Sequence, residues 1–314
     1  MQVSKSIPKV QVFLSAYNGE KYIQEQVQSI LGQKNVEVYL LIRDDGSTDR
    51  TRSIIESLRT ENPKKIEIIE GENLGYRKSF LRMLSYSKVE MDYFAYADQD
   101  DVWQNEKLEK AIQMLLSNPE SWLYASSLKI TDENLKILNI KCTTDLRQSL
   151  GGFFVRTRLA GCTMVFTKQL ENIAEKYSNL EIDRDTAPDH DCLLCMLSLL
   201  YNRKIAIDME SYILHRRHEG TETSGGQGLL NRIKVEINRL IHRPNSYKYI
   251  AKLLLNEAIE VSENNEENIK LIEDISCYDK SFISTIKLCF NREIRCGIRT
   301  ADILIRCKML LRRY

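Results

Sequence analysis

Through the first half of the chain, short apolar, β-branched runs alternate with segments whose apolar positions recur every three or four residues. Val10–Leu14 reads as a strand, and Ile23, Val27, Ile30 and Leu31 then fall at helical spacing, predicting a helix from about Lys21 to Gln33. Val38–Ile42 is a second strand. The helix after it carries Ile54, Ile55 and Leu58, with Asp49 or Ser47 as its cap. Ile66–Ile69, Tyr93–Ala97 and Trp122–Leu128 are the third, fourth and fifth strands; helices over Gly75–Ser87 and Glu106–Leu116 fill two of the gaps. Strands separated by helices of this length predict a mostly parallel sheet flanked by helices.

In such sheets ligands bind beyond the carboxyl ends of the strands. Four clusters fall there: Ser15-Ala16-Tyr17-Asn18, Asp44-Asp45-Gly46-Ser47, Asn73-Leu74-Gly75 and Asp98-Gln99-Asp100-Asp101. The last sets three carboxylates within four residues. Unpaired, they repel one another, and a hard divalent cation is one remedy; capping of the next helix is the other reading. No GxGxxG follows the first strand and no GxxxxGK[ST] occurs anywhere, which argues against a dinucleotide enzyme or a P-loop NTPase. A nucleoside diphosphate is expected here instead, held through a cation at Asp100, its base stacked on Tyr17 and hydrogen-bonded to Asp45. Taken singly, Tyr17 also reads as a half-buried core aromatic and Asp45 as a turn residue.

Composition narrows the class. The 314 residues carry a net charge of +1 with both signs interspersed, unlike the strongly basic total of a general nucleic-acid binder. No run of about 18 apolar residues occurs, and Met1–Lys9 lacks the apolar core of a secretory signal, so a soluble cytoplasmic protein is expected. The eight cysteines are read as reduced thiols, with Cys162, Cys289, Cys296 and Cys307 filling core positions. Cys192 and Cys195 form a lone CxxC inside an apolar helical run, without the second pair a zinc site needs.

Leu14-Ser15-Ala16-Tyr17-Asn18-Gly19-Glu20, Arg43-Asp44-Asp45-Gly46-Ser47-Thr48-Asp49 and Asp98-Gln99-Asp100-Asp101-Val102-Trp103, followed by Gly161-Cys162-Thr163-Met164, His190-Asp191 and Arg217-His218, make the chain resemble a family 2 glycosyltransferase of the GT-A type over roughly residues 8 to 225. The pattern is most similar to the bacterial rhamnosyltransferase-like branch, which builds O-antigen, capsule or cell-wall polysaccharide. The resemblance implies a GT-A domain over 1–225, with a helical region over 226–314. It implies nucleotide-sugar contacts from Ser15, Tyr17, Asn18, Asp45, Asn73, Gly75, Lys78, Asp98 and Gln99. Asp98 and Asp100 match the DxD pair, Asp100 as direct ligand of Mg²⁺ or Mn²⁺ and His218 as a supplementary one. Trp103, Gly161, Cys162, Thr163 and His190 match the acceptor or sugar pocket, and Asp191 the catalytic base. Asp189 competes for that role, and capping of the following helix is the structural reading of Asp191. Glu219 and Glu222 stand where relatives often carry amides, and Cys192 and Leu193 where many carry aromatics.

The chemistry is consistent with the residue types. Inverting transfer needs a carboxylate to take the acceptor hydroxyl's proton and a cation to neutralise the leaving diphosphate. The expected partners are a nucleotide sugar, with dTDP-L-rhamnose ahead of UDP-hexoses, and a glycan or lipid-linked oligosaccharide. A nucleotidyltransferase would carry a Gly-rich, basic loop after the first strand, where this chain has Ser15–Asn18. A non-catalytic sugar-binding module would not be expected to keep Asp98, Asp100 and Asp191. Glu219–Gly226, without apolar period, reads as a lid or a linker. The last stretch, Lys287–Tyr314, is basic and amphipathic. It reads either as a helix lying on an anionic membrane, at the cytoplasmic face, or as a packing helix with a solvated face.

Overall fold

The computed structural model describes residues 6–142, 147–181, 186–218, 246–261 and 266–314. The expected alternation is present. β1 (Lys9–Ala16), α1 (Ile23–Leu31), β2 (Glu37–Asp44), α2 (Thr51–Glu61), β3 (Ile66–Glu70), α3 (Tyr76–Leu84) and β4 (Tyr93–Ala97) follow in order. They are succeeded by β5 (Val102–Trp103), α4 (Lys107–Ser117), β6 (Ser121–Ser126), β7 (Leu128–Thr131), β8 (Ile137–Lys141), β9 (Val165–Thr167), β10 (Lys204–Asp208) and β11 (Ile213–Arg216). One seven-stranded sheet has the order β10-β6-β9-β4-β1-β2-β3. β1 pairs in parallel with both β2 and β4, β2 with β3 and β6 with β10, while β9 runs antiparallel between β4 and β6.

Both faces of the central strands are buried, hence their nearly continuous apolar sequence. Val10, Val12 and Leu14 of β1, Leu40 and Ile42 of β2, and Ala95 and Ala97 of β4 share one cluster with Ile23, Val27 and Ile30 of α1 and Leu108, Ala111 and Ile112 of α4. An aromatic group is built from Phe13, Phe94, Tyr96, Phe166 and Phe80. Phe94 stacks on Phe166 at 5.8 Å between centroids, and Phe80 meets Tyr96 edge-on at 5.2 Å.

Several elements depart from the sequence reading. The fifth strand, expected over Trp122–Leu128, is divided: β6 belongs to the seven-stranded sheet, whereas β7 belongs to a second sheet of order β5-β11-β7-β8. Ser127 lies at the break, its N–H directed to Asp208 O and Glu210 O, so the chain leaves one ladder and enters the other there. Val102 and Trp103, not read as a strand in the sequence, form a short one against β11. The basic stretch is not one helix. Phe282–Cys289 and Arg299–Leu310 are separate helices, and Gly297, at φ 84°, lies in the turn between them. Cys307, expected in the core, is exposed, whereas Cys162, Cys289 and Cys296 are buried.

The chain forms two compact units. The first comprises 1–144, 159–181 and 204–218 and carries both sheets; the second comprises 145–158, 182–203 and 219–314. The boundary expected near 225, and the Glu219–Gly226 segment with Glu219 and Glu222, lie outside the described residues. Within the second unit, helix His190–Leu200 buries Cys192 and Cys195, with Cys192 Sγ 3.8 Å from Phe153 O. Tyr314 is fully buried there. Its hydroxyl donates to Phe154 O at 3.1 Å and its N–H to the Tyr278 hydroxyl at 2.9 Å. Among the described residues no helix is long and apolar enough to cross a membrane.

Phe166 is paired on both sides, stacked on Phe94 and tilted against Tyr96, so Phe166→Ala is expected to lower unfolding free energy by ~3–5 kcal/mol, measured by urea denaturation.

Candidate functional site

The parallel register brings the carboxyl ends of β1 to β4 to one rim: Leu14 pairs with Ala97, Ala16 with Asp44 and Asp44 with Glu70. The loops leaving those strands are joined by side chain to backbone hydrogen bonds. Gln99 clamps Tyr17, its Oε1 accepting from Tyr17 N at 2.9 Å and its Nε2 donating to Tyr17 O at 3.0 Å. A side chain at Gly19 could not coexist with that clamp, since a Cβ there would lie 2.3 Å from Gln99 Oε1. Asn18, in a left-handed conformation at φ 49°, accepts through Oδ1 from Thr48 N at 2.8 Å and donates its own N–H to the Ser47 hydroxyl at 3.0 Å. The Tyr17 ring is left 45% exposed on the rim.

Asp45 is 2% exposed. Its Oδ1 accepts from Leu74 N and its Oδ2 from Gly75 N, both at 2.8 Å, and Arg43 pairs with it from below. Arg43 also donates to Glu72 O at 3.0 Å and to the Ser79 hydroxyl at 3.2 Å, and Ser79 shares a 2.6 Å hydrogen bond with Ser15. The oxygens of Asp45 thus also shape the 73–75 turn. Gly75 permits the turn with φ 76°, and Asn73 Oδ1 accepts from Gly75 N at 3.1 Å. Lys78 sits half-buried in the first turn of α3.

The carboxylate turn is held from beneath by buried side chains that the sequence did not single out. Gln26, fully buried on the apolar stripe of α1, donates to Asp98 O at 2.8 Å. Arg216 donates from Nε to Asp100 O at 3.0 Å, reaches Glu133 O at 2.6 Å and Glu25 at 2.5 Å, and lies over the Tyr22 ring at 4.3 Å. His215 Nδ1 lies 2.9 Å from Asp101 Oδ1, and Arg216 N donates to that same oxygen at 3.3 Å. His218 Nε2 meets Asp100 Oδ2 at 2.8 Å, its ring against Tyr22 at 5.0 Å. Of the three residues expected to hold a metal, Asp100 and His218 are thus in contact.

Ligand-type atoms of Asp98, Asp101, Cys162 and His215 also lie within 4.8 Å of one another. The electrostatics separate their roles. Burial pulls the His215 imidazole down, but the charges of Asp101, Asp98 and Asp100 outweigh it and raise it to about 9. In that state it is the counter-ion of Asp101. Burial and the neighbouring carboxylates push the Cys162 thiol well up, so it stays protonated. Burial and the charges of Asp101 and Asp100 raise Asp98 to about 7, and burial with Asp101 raises Asp100. Asp101 Oδ2 is buried without a hydrogen-bond partner. Two raised carboxylates beside an imidazole fit a Mg²⁺- or Mn²⁺-type cation, whose charge would relieve their repulsion.

The residues expected in the sugar pocket are mostly floor or core. Trp103 is 2% exposed and packs in the main cluster, with the buried Lys107 ammonium 3.8 Å over its ring. Burial drives that ammonium down to about 7. Gly161, Cys162 and Thr163 form a single buried helical turn. His190 and Asp191 belong to the second unit, opening the helix His190–Leu200. Asp191 is half-buried and its Oδ1 accepts from Cys192 N at 2.6 Å. Asp189 immediately precedes that helix.

A sequence model described as glycosyl transferase family 2 matches residues 11–174. The dTDP-rhamnosyl transferase RfbG of Shigella flexneri is 31% identical over 215 residues, covering 67% of this chain and 73% of that protein. The putative teichuronic acid biosynthesis glycosyltransferase TuaG of Bacillus subtilis is 31% identical over 109 residues, 35% of this chain and 42% of that one. Among solved structures, S. aureus TarS 1–349 in complex with UDP-GlcNAc superposes with a TM-score of 0.58 at 18% identity, covering 98% of this chain and 82% of that one. This last likeness concerns the fold.

The raised groups set a pH dependence. A free aspartate titrates at ~4, so folded Asp98 keeps a proton that the unfolded chain releases between there and about 7; stability falls as pH rises through that window. His215 extends the fall, since its stabilisation is complete below 6.5 and lost as pH rises towards about 9. Without metal, the thermal midpoint is expected to be lower at pH 8 than at pH 6. Asp98→Asn should shrink that difference, and Mn²⁺ should raise the wild-type midpoint at pH 8 more than the variant's.

Proposed function

The chain belongs to glycosyl transferase family 2, and from that premise we propose that it is an inverting, divalent-cation-dependent enzyme. It moves L-rhamnose from dTDP-L-rhamnose to a hydroxyl of a growing cell-surface polysaccharide or lipid-linked oligosaccharide. The observation that carries the reading is the carboxylate turn after β4, where His218 Nε2 lies 2.8 Å from Asp100 Oδ2 and Gln99 clamps the backbone of the exposed Tyr17. The name and extent of the Shigella relative favour the rhamnosyl donor. A UDP-linked hexose or N-acetylhexosamine is the second reading, favoured by the sugar nucleotide bound to TarS.

In this reading the nucleotide base stacks on Tyr17, and Ser15, Asn18, Asn73, Gly75 and Gln99 frame it through the turns they hold. Asp45 hydrogen-bonds the base while its carboxylate also keeps the 73–75 turn in place, and Lys78 faces the diphosphate. Asp98, Asp100 and His218 would hold Mg²⁺ or Mn²⁺, which when bound neutralises the charge that develops on the leaving diphosphate. Asp191 accepts the proton of the acceptor hydroxyl as that oxygen attacks the anomeric carbon. The bond from that carbon to the diphosphate breaks on the opposite face, inverting its configuration. Gly161, Cys162, Thr163 and His190 contribute to the acceptor side, and Trp103 supports it from the core.

Two measurements test this. A thermal-shift comparison of dTDP, UDP, GDP and CDP with Mn²⁺ should give the largest stabilisation with dTDP. A larger shift with UDP would transfer the donor to the UDP-hexose reading, and no shift with any diphosphate would overturn the nucleotide site. Asp191→Asn should reduce transfer by at least ~100-fold, the lower end of what a positioned general base contributes, while leaving the diphosphate shift intact. Transfer near the wild-type rate would remove Asp191 from the base role and make Asp189→Asn the next variant.

A further inference from the structure

The Cys162 thiol and the His215 imidazole lie against the carboxylate turn, and the transfer chemistry asks neither a proton nor a metal bond of them. Three segments distant in sequence bring the group together: the turn after β4 supplies Asp98 and Asp101, the single helical turn Gly161–Thr163 supplies Cys162, and β11 supplies His215. All four residues belong to the first compact unit. One ligand-type atom from each lies within 4.8 Å of those of the other three; Asp101, Cys162 and His215 are buried and Asp98 is half-buried. A four-coordinate cation with bonds of about 2.0–2.3 Å sets its ligand atoms roughly 3.3–3.8 Å apart. Closing this set therefore takes side-chain shifts of about an ångström or less.

Two features set the group apart from ordinary packing. Asp101 is fully buried. Its Oδ1 accepts from Arg216 N and faces His215 Nδ1, whereas its Oδ2 is buried with no hydrogen-bond partner. Buried carboxylate oxygens are ordinarily satisfied. The second feature is the sulfur. Hard cations such as Mg²⁺ and Mn²⁺ take oxygen, while a thiolate beside an imidazole selects a softer metal.

We propose that Asp98, Asp101, Cys162 and His215 form a site for a thiophilic divalent cation of the Zn²⁺ class. It is exclusive with the Mg²⁺- or Mn²⁺-type cation of Asp98, Asp100 and His218, because Asp98 belongs to both sets. The metal takes the place of protons. The Cys162 thiol gives its proton to solvent as the sulfur–metal bond forms, and the His215 imidazolium gives up the proton of the nitrogen that coordinates. Asp101 exchanges its imidazolium counter-ion for the metal itself. Four protein ligands leave no open position, so this ion inhibits rather than catalyses. The site stands on these four residues alone; only its conflict with the Mg²⁺- or Mn²⁺-type cation rests on the function proposed above.

The test titrates the reduced, metal-free full chain with Co²⁺ as a spectroscopic stand-in for Zn²⁺. A single equivalent should produce sulfur-to-cobalt charge-transfer absorption in the near ultraviolet and the intense visible bands of a four-coordinate ion, and Zn²⁺ should remove both. Cys162→Ser should abolish the charge-transfer absorption, whereas Cys142→Ser with Cys307→Ser, which removes exposed thiols, should leave it. Zinc-edge X-ray absorption of the wild-type complex, which needs no variant, should count one sulfur at about 2.3 Å and three nitrogen or oxygen ligands at about 2.0–2.2 Å. No charge-transfer absorption, its survival in Cys162→Ser, or any other sulfur count would overturn the proposal. Mn²⁺ bound beforehand should be released as the cobalt absorption grows, read from the paramagnetic resonance of the free ion; Mn²⁺ that stays bound would overturn the exclusivity. Cobalt absorption in a chain that never binds Mn²⁺ would support this site and count against the hard-cation reading instead.

Discussion

Three carboxylates within four residues, at the end of a strand buried on both faces, oppose one another in a medium that screens them poorly. The surrounding structure is organised around that repulsion. Asp101 is the most deeply buried of the three and is given a cation, the His215 imidazolium, together with the Arg216 N–H. Asp100 is met by His218, and the carbonyls of Asp98 and Asp100 are held by Gln26 and Arg216. Asp98 and Asp100 remain only partly compensated, which is why both are raised.

The same economy of parts shapes the rest of the rim. Asp45 and Arg43 form a buried pair whose remaining donors and acceptors are spent on the backbone of the 72–75 turn and on Ser79. Removing one partner would leave an uncompensated charge in the core, which costs far more than a surface pair contributes. The loops after β1, β2 and β4 lean on one another through Asn18, Ser47 and Gln99. The exposed Tyr17 ring is therefore presented on a braced backbone, and its orientation follows from the neighbouring loops as much as from β1.

In the second unit the physical theme differs. Its helices bury Ile272, Ile275, Leu288, Met309 and Tyr314, while Phe282, Ile283 and Phe290 stay exposed.

The order of strands and helices in the first half was legible from apolar periodicity alone, because β1, β2 and β4 are buried on both faces and α1 to α4 on one stripe. The four rim clusters were legible too, since parallel pairing puts every strand's carboxyl end on the same side. Single-sequence patterns could not reveal the second sheet, the antiparallel β9 or the division at Ser127, because these depend on which distant backbone groups remain to be paired. Nor could they reveal Gln26, Lys107, His215 and Arg216. The only trace of Gln26 is a polar residue on an apolar stripe, and His215 stands in an ordinary short strand. Sequence determined which residues carry charge and where along a strand they fall. Tertiary structure decided which of those charges are buried, and therefore which need a counter-ion, because burial depends on packing between segments more than a hundred residues apart, as Asp101 and His215 are.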